Sequence, residues 1–310
     1  MYFPKRQKDC KMGSSKTVKT MAVAVGAIAA LLLAGCSSAP AAGSAPTASG
    51  SSNALYKSSP ALVKIQAAGV FNIGVDTEPP LSSISGGKAV GVIPQVLAEF
   101  VKRVGMNVKI NAVATPFSSM VPEVQSNRID TIAAGMYNTP ARAQVVNFTE
   151  PIVYNPGTLI VAPGNPKKIN GITAASLHGL TVGSYAGTTL LTELQALAAK
   201  DPSIQVKAFT TAPLLALAVS QGQIDAGYID QVSGSYFLKQ DPTLKYQVLT
   251  NLTGADPKDA TGDCLPVNKS DPQFVALFNK VYDQMKADGT AAKIMTANGL
   301  TPAASFYNLK

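Results

Sequence analysis

Three short stretches of this 310-residue sequence put charged or hydroxyl groups where they can act on a small ligand. Residues 129–151, IDTIAAGMYNTPARAQVVNFTEP, read as a short buried strand ending in Gly135, a loop, and a helix opening at Thr139-Pro140. Thr is a good N-cap because its hydroxyl accepts an orphan backbone N–H, and Pro at the first helical position forfeits no hydrogen bond. Arg142 falls in that helix's first turn, where the helix dipole disfavours a cation. Just past a strand's C-terminal end, an Arg beside free N–H groups makes a receptor for a carboxylate. The alternative is a surface Arg lying over its neighbours. The second stretch, Gly183-Ser184-Tyr185-Ala186-Gly187-Thr188-Thr189, turns from strand to helix through Gly187. Its N–H groups and the Thr188 and Thr189 hydroxyls suit an anion, although many ordinary strand-to-helix turns share those features. The third is Asp230, carried to a sheet rim by the apolar strand 226–229. A carboxylate there suits an ammonium group while Arg142 suits a carboxylate, so the three stretches together fit a small zwitterion. One ligand bridging both charges would drive closure of the parts that carry them.

The elements that must position these groups alternate strand and helix. Val70–Val75 reads as a strand, and 94–104 as a helix with Val96, Leu97, Phe100, Val101 and Val104 on one face. Residues 108–113 form a strand, and Phe117, Met120, Val121 and Val124 recur at helical spacing after it. Strands at 158–162 and 180–184 are followed by helices lined by Leu190, Leu191, Leu194 and Leu197, and by Leu214, Leu215 and Ala218. Asp271-Pro272 caps a last helix with Phe274, Phe278, Val281 and Met285 inward, which Gly289 stops. This alternation implies open, mostly parallel sheets with helices on both faces. One phrase occurs twice: a helix ending in small polar residues, then Ile-Asp opening a buried strand. It appears at Ile129-Asp130 and again at Ile224-Asp225, roughly 95 residues later. Repetition at that distance suggests two similar lobes, with 154–157 and 251–262 as the crossings between them. Asp225 reads as a turn or cap residue at the strand entrance.

The first 35 residues stand outside this pattern. Lys5, Arg6, Lys8, Lys11, Lys16 and Lys19 precede an uncharged run from Thr20 that closes on Leu33-Ala34-Gly35-Cys36. The run is shorter than the roughly 20 residues that span a bilayer and ends on small residues, as a cleaved signal does; the alternative is a retained anchor. Six cations and Asp9 in this segment account for five of the chain's eight net positive charges. The remainder gives little electrostatic case for nucleic acid, with no basic run in the folded part. Residues 37–59 are Ser, Ala, Gly and Pro with few bulky apolar groups, a flexible stalk. Beyond the leader only Cys36 and Cys264 remain, and His178 is the single histidine, in a turn of plain surface character. That inventory argues against a disulfide framework, a zinc site or a His-dependent nucleophile. No cofactor is implied.

Two resemblances follow from these residues. Leu33-Ala34-Gly35-Cys36 resembles a bacterial lipobox, which implies lipidation at Cys36 and an extracytoplasmic protein held at the outer face of the cell membrane or the periplasmic side. From Val70 to Gly299 the chain resembles the family 3 extracellular solute-binding proteins, the amino-acid receptors of ABC importers. The resemblance is carried by Gly74-Val75-Asp76-Thr77-Glu78-Pro79-Pro80, Thr139-Pro140-Ala141-Arg142, Val146-Asn147-Phe148-Thr149-Glu150-Pro151, Gly187-Thr188-Thr189, Ile224-Asp225 with Asp230, and Ala287-Asp288-Gly289-Thr290. It implies an α/β, two-lobed periplasmic-binding-protein-like fold of type II, each lobe a mostly parallel sheet flanked by helices, joined by two crossings. The expected division is 1–35 signal, 36–59 lipidated Cys and linker, 60–155 with 252–310 lobe 1, and 156–251 lobe 2.

By the same resemblance, the ligand α-carboxylate goes to Arg142 and the Thr188 and Thr189 backbone, and its α-amino group to Asp230 and the Gly135 carbonyl. Phe117 and Tyr185 match positions that contact the ligand side chain, or are core. Asp76 and Glu78 are placed to read a cationic side chain, the alternative being that Glu78 is a solvated loop charge. The chain departs from the family at Gly91-Val92-Ile93-Pro94-Gln95, which lacks two usual acids, at its shortened first loop, and at Tyr137, where a small hydroxyl residue is usual. Tyr137 either shrinks the pocket or supplies an aromatic wall. The implied partners are an amino acid or related zwitterion, an ABC permease and, through the lipid, a membrane; the protein is expected to be a monomer. Enzymes on the same scaffold, dehydratases and lytic transglycosylases, use a cleft carboxylate, for which Glu78 and Glu150 are the candidates. A sensor ectodomain is a third reading. Binding without turnover is expected.

Overall fold

The computed structural model of the chain describes residues 54–250, 252–254 and 262–301. The expected signal, Cys36 and most of the expected stalk and second crossing lie outside these residues. A 3-10 turn, Leu55–Ser58, packs Leu55 and Tyr56 on the core ahead of α1 (Pro60–Ala68) and β1 (Val70–Val75). A hairpin of β2 (Ser83–Ser85) and β3 (Lys88–Val90) leads to α2 (Val92–Arg103), β4 (Lys109–Ala114) and α3 (Met120–Gln125). Then come β5 (Thr131–Ile132), β6 (Met136–Tyr137), the single turn α4 (Pro140–Ala143), β7 (Val146–Phe148) and β8 (Val153–Tyr154). The middle of the chain holds β9 (Gly157–Val161), α5 (Ala174–Leu177), β10 (Thr181–Tyr185), α6 (Thr189–Lys200) and β11 (Gln205–Phe209). It continues with α7 (Ala212–Ser220), β12 (Ala226–Asp230), α8 (Gln231–Gln240) and β13 (Gln247–Val248). Last are β14 (Gly262–Cys264), β15 (Pro266–Asn268), α9 (Pro272–Ala287) and α10 (Thr290–Ala297).

These elements build two α/β lobes. The first sheet has order β4-β1-β5-β15-β7, and the second β11-β10-β12-β9-β13. In each, the first three strands are parallel and the last two pair antiparallel. The antiparallel strands are those that enter or leave by the crossings. Those crossings pair with each other, β14 running antiparallel to both β6 and β8. Each lobe buries its own core. In the first, α2 sinks Val96, Leu97 and Phe100 against Phe274 and Phe278, with the Phe100 and Phe278 ring centroids 5.2 Å apart. In the second, Leu159, Val182, Leu194 and Tyr228 pack under α6. A further apolar cluster crosses the gap, joining Phe117, Met120 and Ile132 of the first lobe to Tyr185, Leu215 and Ile229 of the second.

Two boundaries differ from the expected ones for local reasons. α2 starts at Val92 rather than at 94, with Pro94 inside its first turn. First-turn N–H groups have no intrahelical acceptor, so a Pro there loses nothing. The helix after β4 is preceded by a 3-10 turn, Phe117–Ser119, which carries Phe117 toward the other lobe before α3 begins. Among the described residues no helix is long and apolar enough to cross a membrane.

Candidate functional site

The expected site residues come from strand ends and helix starts. Thr139 caps α4 as its sequence suggests, its hydroxyl accepting the Arg142 N–H at 3.3 Å. The turn is short, so Arg142 projects back across it. Its Nη1 donates to the Tyr137 carbonyl and its Nη2 to the Gly187 carbonyl in the other lobe, both at 2.9 Å. The guanidinium also sits 5.6 Å from the Phe117 ring centroid, within cation–π range. Burial pulls the Arg142 pKa down, opposed by the neighbouring Tyr185, Tyr137 and Asp230.

Across the gap, β10 ends in buried Tyr185, and Gly187 turns the chain into α6. Thr188 is the N-cap, and its hydroxyl is fully engaged: it accepts from the Leu191 N–H at 3.1 Å and donates to the Tyr185 carbonyl at 2.7 Å. What this helix start offers an anion is therefore the N–H groups of its first turn, which lack intrahelical acceptors. β12 delivers Asp230 to its end in a fully buried setting. Asp230 Oδ1 accepts from the Tyr137 hydroxyl at 2.9 Å, and Oδ2 accepts from the Tyr185 hydroxyl.

Eight of the ten expected ligand residues line one cavity between the lobes: Phe117, Gly135, Tyr137, Arg142, Tyr185, Thr188, Thr189 and Asp230, joined by Leu190. The lobes are closed on it, and its volume is about 10 Å3, room for roughly one water. Tyr137 is the reason. Its ring packs on the second lobe's core and its hydroxyl also contacts the Asn155 carbonyl, so it bridges the lobes and shrinks the pocket. Gly187 permits the closure: its φ is +87°, and a Cβ there would lie 2.6 Å from the Ser118 Cα of the first lobe.

Asp76 and Glu78 fall outside this ring, in different ways. Asp76, at the end of β1, accepts the Thr77 N–H at 2.7 Å and lines a separate cavity of about 640 Å3 that shares Phe117 with the central one. Burial raises its pKa, and the Thr77 bond opposes that. Glu78 is not a solvated loop charge. It is 1 % exposed, because its loop folds back through Glu78–Ser82 pairing and turns the side chain inward. Its Oε2 accepts the Gly135 N–H at 3.0 Å, and its Oε1 lies 3.4 Å from the Tyr185 hydroxyl. Burial, then the charges of Asp230, Asp263 and Asp76, push its carboxyl well above the usual range. Glu150, the other acid considered, is exposed.

Two residues of this network carried no signal in the sequence analysis. Asn155, in the first crossing, donates to Asp263 Oδ2 at 3.0 Å and accepts from the Val232 N–H at 3.1 Å. Asp263, in β14, is 1 % exposed, and its Oδ1 has no hydrogen-bond partner. It backs directly onto Gly135, where a Cβ would meet that Oδ1 at 2.9 Å. A lone acid inside the buried run β14–β15 was the available clue. Among the described residues, no three His, Cys, Asp or Glu side chains are grouped to hold a metal ion. The one His, His178, is exposed and bonds Asp201 at 2.7 Å, and it does not line this cavity.

Two α/β lobes, linked by paired crossing strands and shut on a small polar cavity, are the architecture of a receptor that closes around a solute. The family model of bacterial extracellular solute-binding proteins, family 3, matches residues 71–299, and the chain belongs to that family. It is similar to the lysine/arginine/ornithine-binding periplasmic protein of Escherichia coli K12, 29 % identical over 233 residues covering 72 % of this chain and 84 % of the relative. The histidine-binding periplasmic protein of the same strain is 28 % identical over 232 residues, covering 72 % and 85 %. Among solved structures, an ancestral arginine-binding protein bound to arginine superposes with a TM-score of 0.65 at 26 % identity, over 74 % of this chain and 97 % of that one. These relatives are binding proteins, and the chain is a solute-binding protein rather than an enzyme.

Proposed function

We propose that the protein captures an amino acid, or a closely related zwitterion, between its lobes and hands it to the permease of an ABC importer. The observation that carries this reading is that Arg142 and Asp230, opposite charges from opposite lobes, face one cavity together with the start of α6. Arg142 now donates to two carbonyls, contacts that a ligand carboxylate replaces with stronger charge-assisted bonds. The α6 N–H groups add to that receptor, and Asp230 with the Gly135 backbone takes the ammonium group. Because the cavity is so small, the lobes open before a ligand enters and close on it afterward. Phe117 and Tyr185 bound the side-chain space, edge-on to each other with centroids 5.9 Å apart. The leader closing just before Cys36 supports export and lipid tethering at the membrane's outer face, with residues 36–59 as the stalk. The lobes then divide as 60–155 with 252–310, and 156–251.

Thermal-shift measurements against individual amino acids test the binding reading, with Arg142→Ala as control. At least one amino acid should raise the wild-type Tm, and the variant should lose that response. A wild type that responds to no zwitterion, or a variant that responds equally, sinks the reading. Labelled-lipid incorporation into wild type but not Cys36→Ser tests the anchor separately.

A further inference from the structure

Glu78 is the acid that a simple zwitterion receptor does not require, and it stands beside Asp230. The two carboxyl groups come from opposite lobes and share a neighbour, the Tyr185 hydroxyl, which contacts Asp230 Oδ2 and lies 3.4 Å from Glu78 Oε1. The two tyrosine hydroxyls around them make four contacts with only two hydrogens between them. Tyr185 has one hydroxyl hydrogen and faces both Asp230 Oδ2 and Glu78 Oε1. Tyr137 has one, and faces both the Asn155 carbonyl and Asp230 Oδ1. A carbonyl can only accept. With the Tyr137 hydrogen on Asn155, the contact to Asp230 needs a proton from the acid itself.

The surroundings supply one cation, Arg142, against four acids. Asp263 faces the pair from β14, with one oxygen bonded to Asn155 and the other unpartnered. Asp76 faces it from the end of β1. Arg142, on α4, directs Nη1 and Nη2 at backbone carbonyls rather than at any of these acids. Among the described residues none of the four acids forms a salt bridge. One guanidinium does not neutralise four acids crowded out of water, and such a cluster keeps a proton until a further cation arrives.

We propose that Glu78 and Asp230 form a carboxyl pair that holds one proton when the lobes close unliganded, and that this pair exchanges the proton for the primary ammonium group of the ligand. The exchange balances at the carboxyl pair: one proton leaves for solvent as one R–NH3+ enters, and the ligand carboxylate is matched separately by Arg142. An –NH3+ group has three hydrogens, enough for Glu78, Asp230 and a tyrosine oxygen at once. A quaternary ammonium has none, and a neutral solute cannot displace the proton. Glu78 is thus a specificity-determining residue for primary amines. This inference rests on the amino-acid reading of the same site.

Isothermal titration of the wild type with the common L-amino acids, in phosphate and in Tris at one pH, measures the proton count. Binding should release about one proton per ligand, and log affinity should rise with pH at a slope near 1 below the pair's titration. Glu78→Gln should bind with release near zero and a flat slope, while Glu78→Asp should restore the release. Nα-trimethylated forms of any ligand found should bind the wild type at least about tenfold more weakly, having no hydrogen to donate. Binding with equal heats in both buffers, or a Glu78→Gln slope matching wild type, overturns the exchange and leaves the proposed function standing. No binding by any amino acid overturns both.

Discussion

The two lobes begin from one local design and end on opposite charges. In the first, Asp130 at the strand entrance accepts the Asn72 N–H at 2.7 Å and its own N–H donates to the Asn72 carbonyl at 2.8 Å. In the second, Asp225 accepts the Thr181 N–H and donates to the Thr181 carbonyl, both at 2.8 Å. Each Asp thus locks a strand beside its parallel neighbour, β5 beside β1 and β12 beside β10. From there the lobes part. β12 runs five buried residues and ends on Asp230. β5 stops after two, and the chain passes Gly135 and Tyr137 to reach Arg142. The repeated entrance fixes where a strand points, and the unrepeated exit decides which charge arrives there.

If charges meeting across the gap are what separates the lobes, pH should have the largest effect on the ligand-free protein. Glu78 from the first lobe, Asp230 from the second and Asp263 from the crossing all have carboxyls raised above their ordinary values, chiefly by burial. A raised acid contributes stability that is fully present below the unfolded value near pH 4 and lost as pH rises through the folded one. Calorimetric Tm should therefore fall as pH increases from about 5 to 9. The fall should be shallower in Glu78→Gln, and a wild-type Tm that rises over that window would contradict a protonated cluster.

Removing one charge at a time comes next. Arg142→Ala and Asp230→Asn should each weaken amino-acid binding about a hundredfold, since each strands a buried partner on the ligand. Equal losses mean that both ends of a zwitterion are held. If Asp230→Asn binds normally in calorimetry, the second lobe does not take the ammonium group. A smaller effect, about tenfold on affinity, is expected from Gly187→Ala, whose new methyl would meet the Ser118 backbone and prop the lobes apart. Small-angle scattering should show a larger radius of gyration for it than for the wild type; an unchanged radius would mean that closure does not depend on that contact.

What the sequence revealed tracks how local each signal is. Val96, Leu97 and Phe100 declare a helix face through spacing alone, and they are buried together. Thr139, Pro140 and Arg142 lie within one turn, so their cap and projection could be read directly. Glu78 could not. Its burial depends on the Gly135 N–H, 57 positions away, and on Tyr185, 107 away. Asp263 and Asn155 are joined across 108 positions. Tyr137 was legible as a departure, but its direction was not, because its hydroxyl partners belong to the crossing and the other lobe. Thr188 illustrates the opposite error: its hydroxyl, read as open to a ligand, is committed to the Leu191 N–H of its own helix and to the Tyr185 carbonyl at the end of β10.

The smallest effect tests the shared half of the comparison. Asp130→Ala and Asp225→Ala each leave one strand N–H without its acceptor, at a site where water has partial access, so each should cost about 1 kcal/mol in urea unfolding. Asp225 also has Lys167 at 3.7 Å, but that pair is open to solvent and adds little. The two costs should therefore agree within about 0.5 kcal/mol, and the double variant should lose roughly their sum, because the sites share no partner. A large cost for one and none for the other would mean that the repeated Ile-Asp phrase positions a strand in only one lobe. The likeness between the lobes would then be one of sequence without common mechanics.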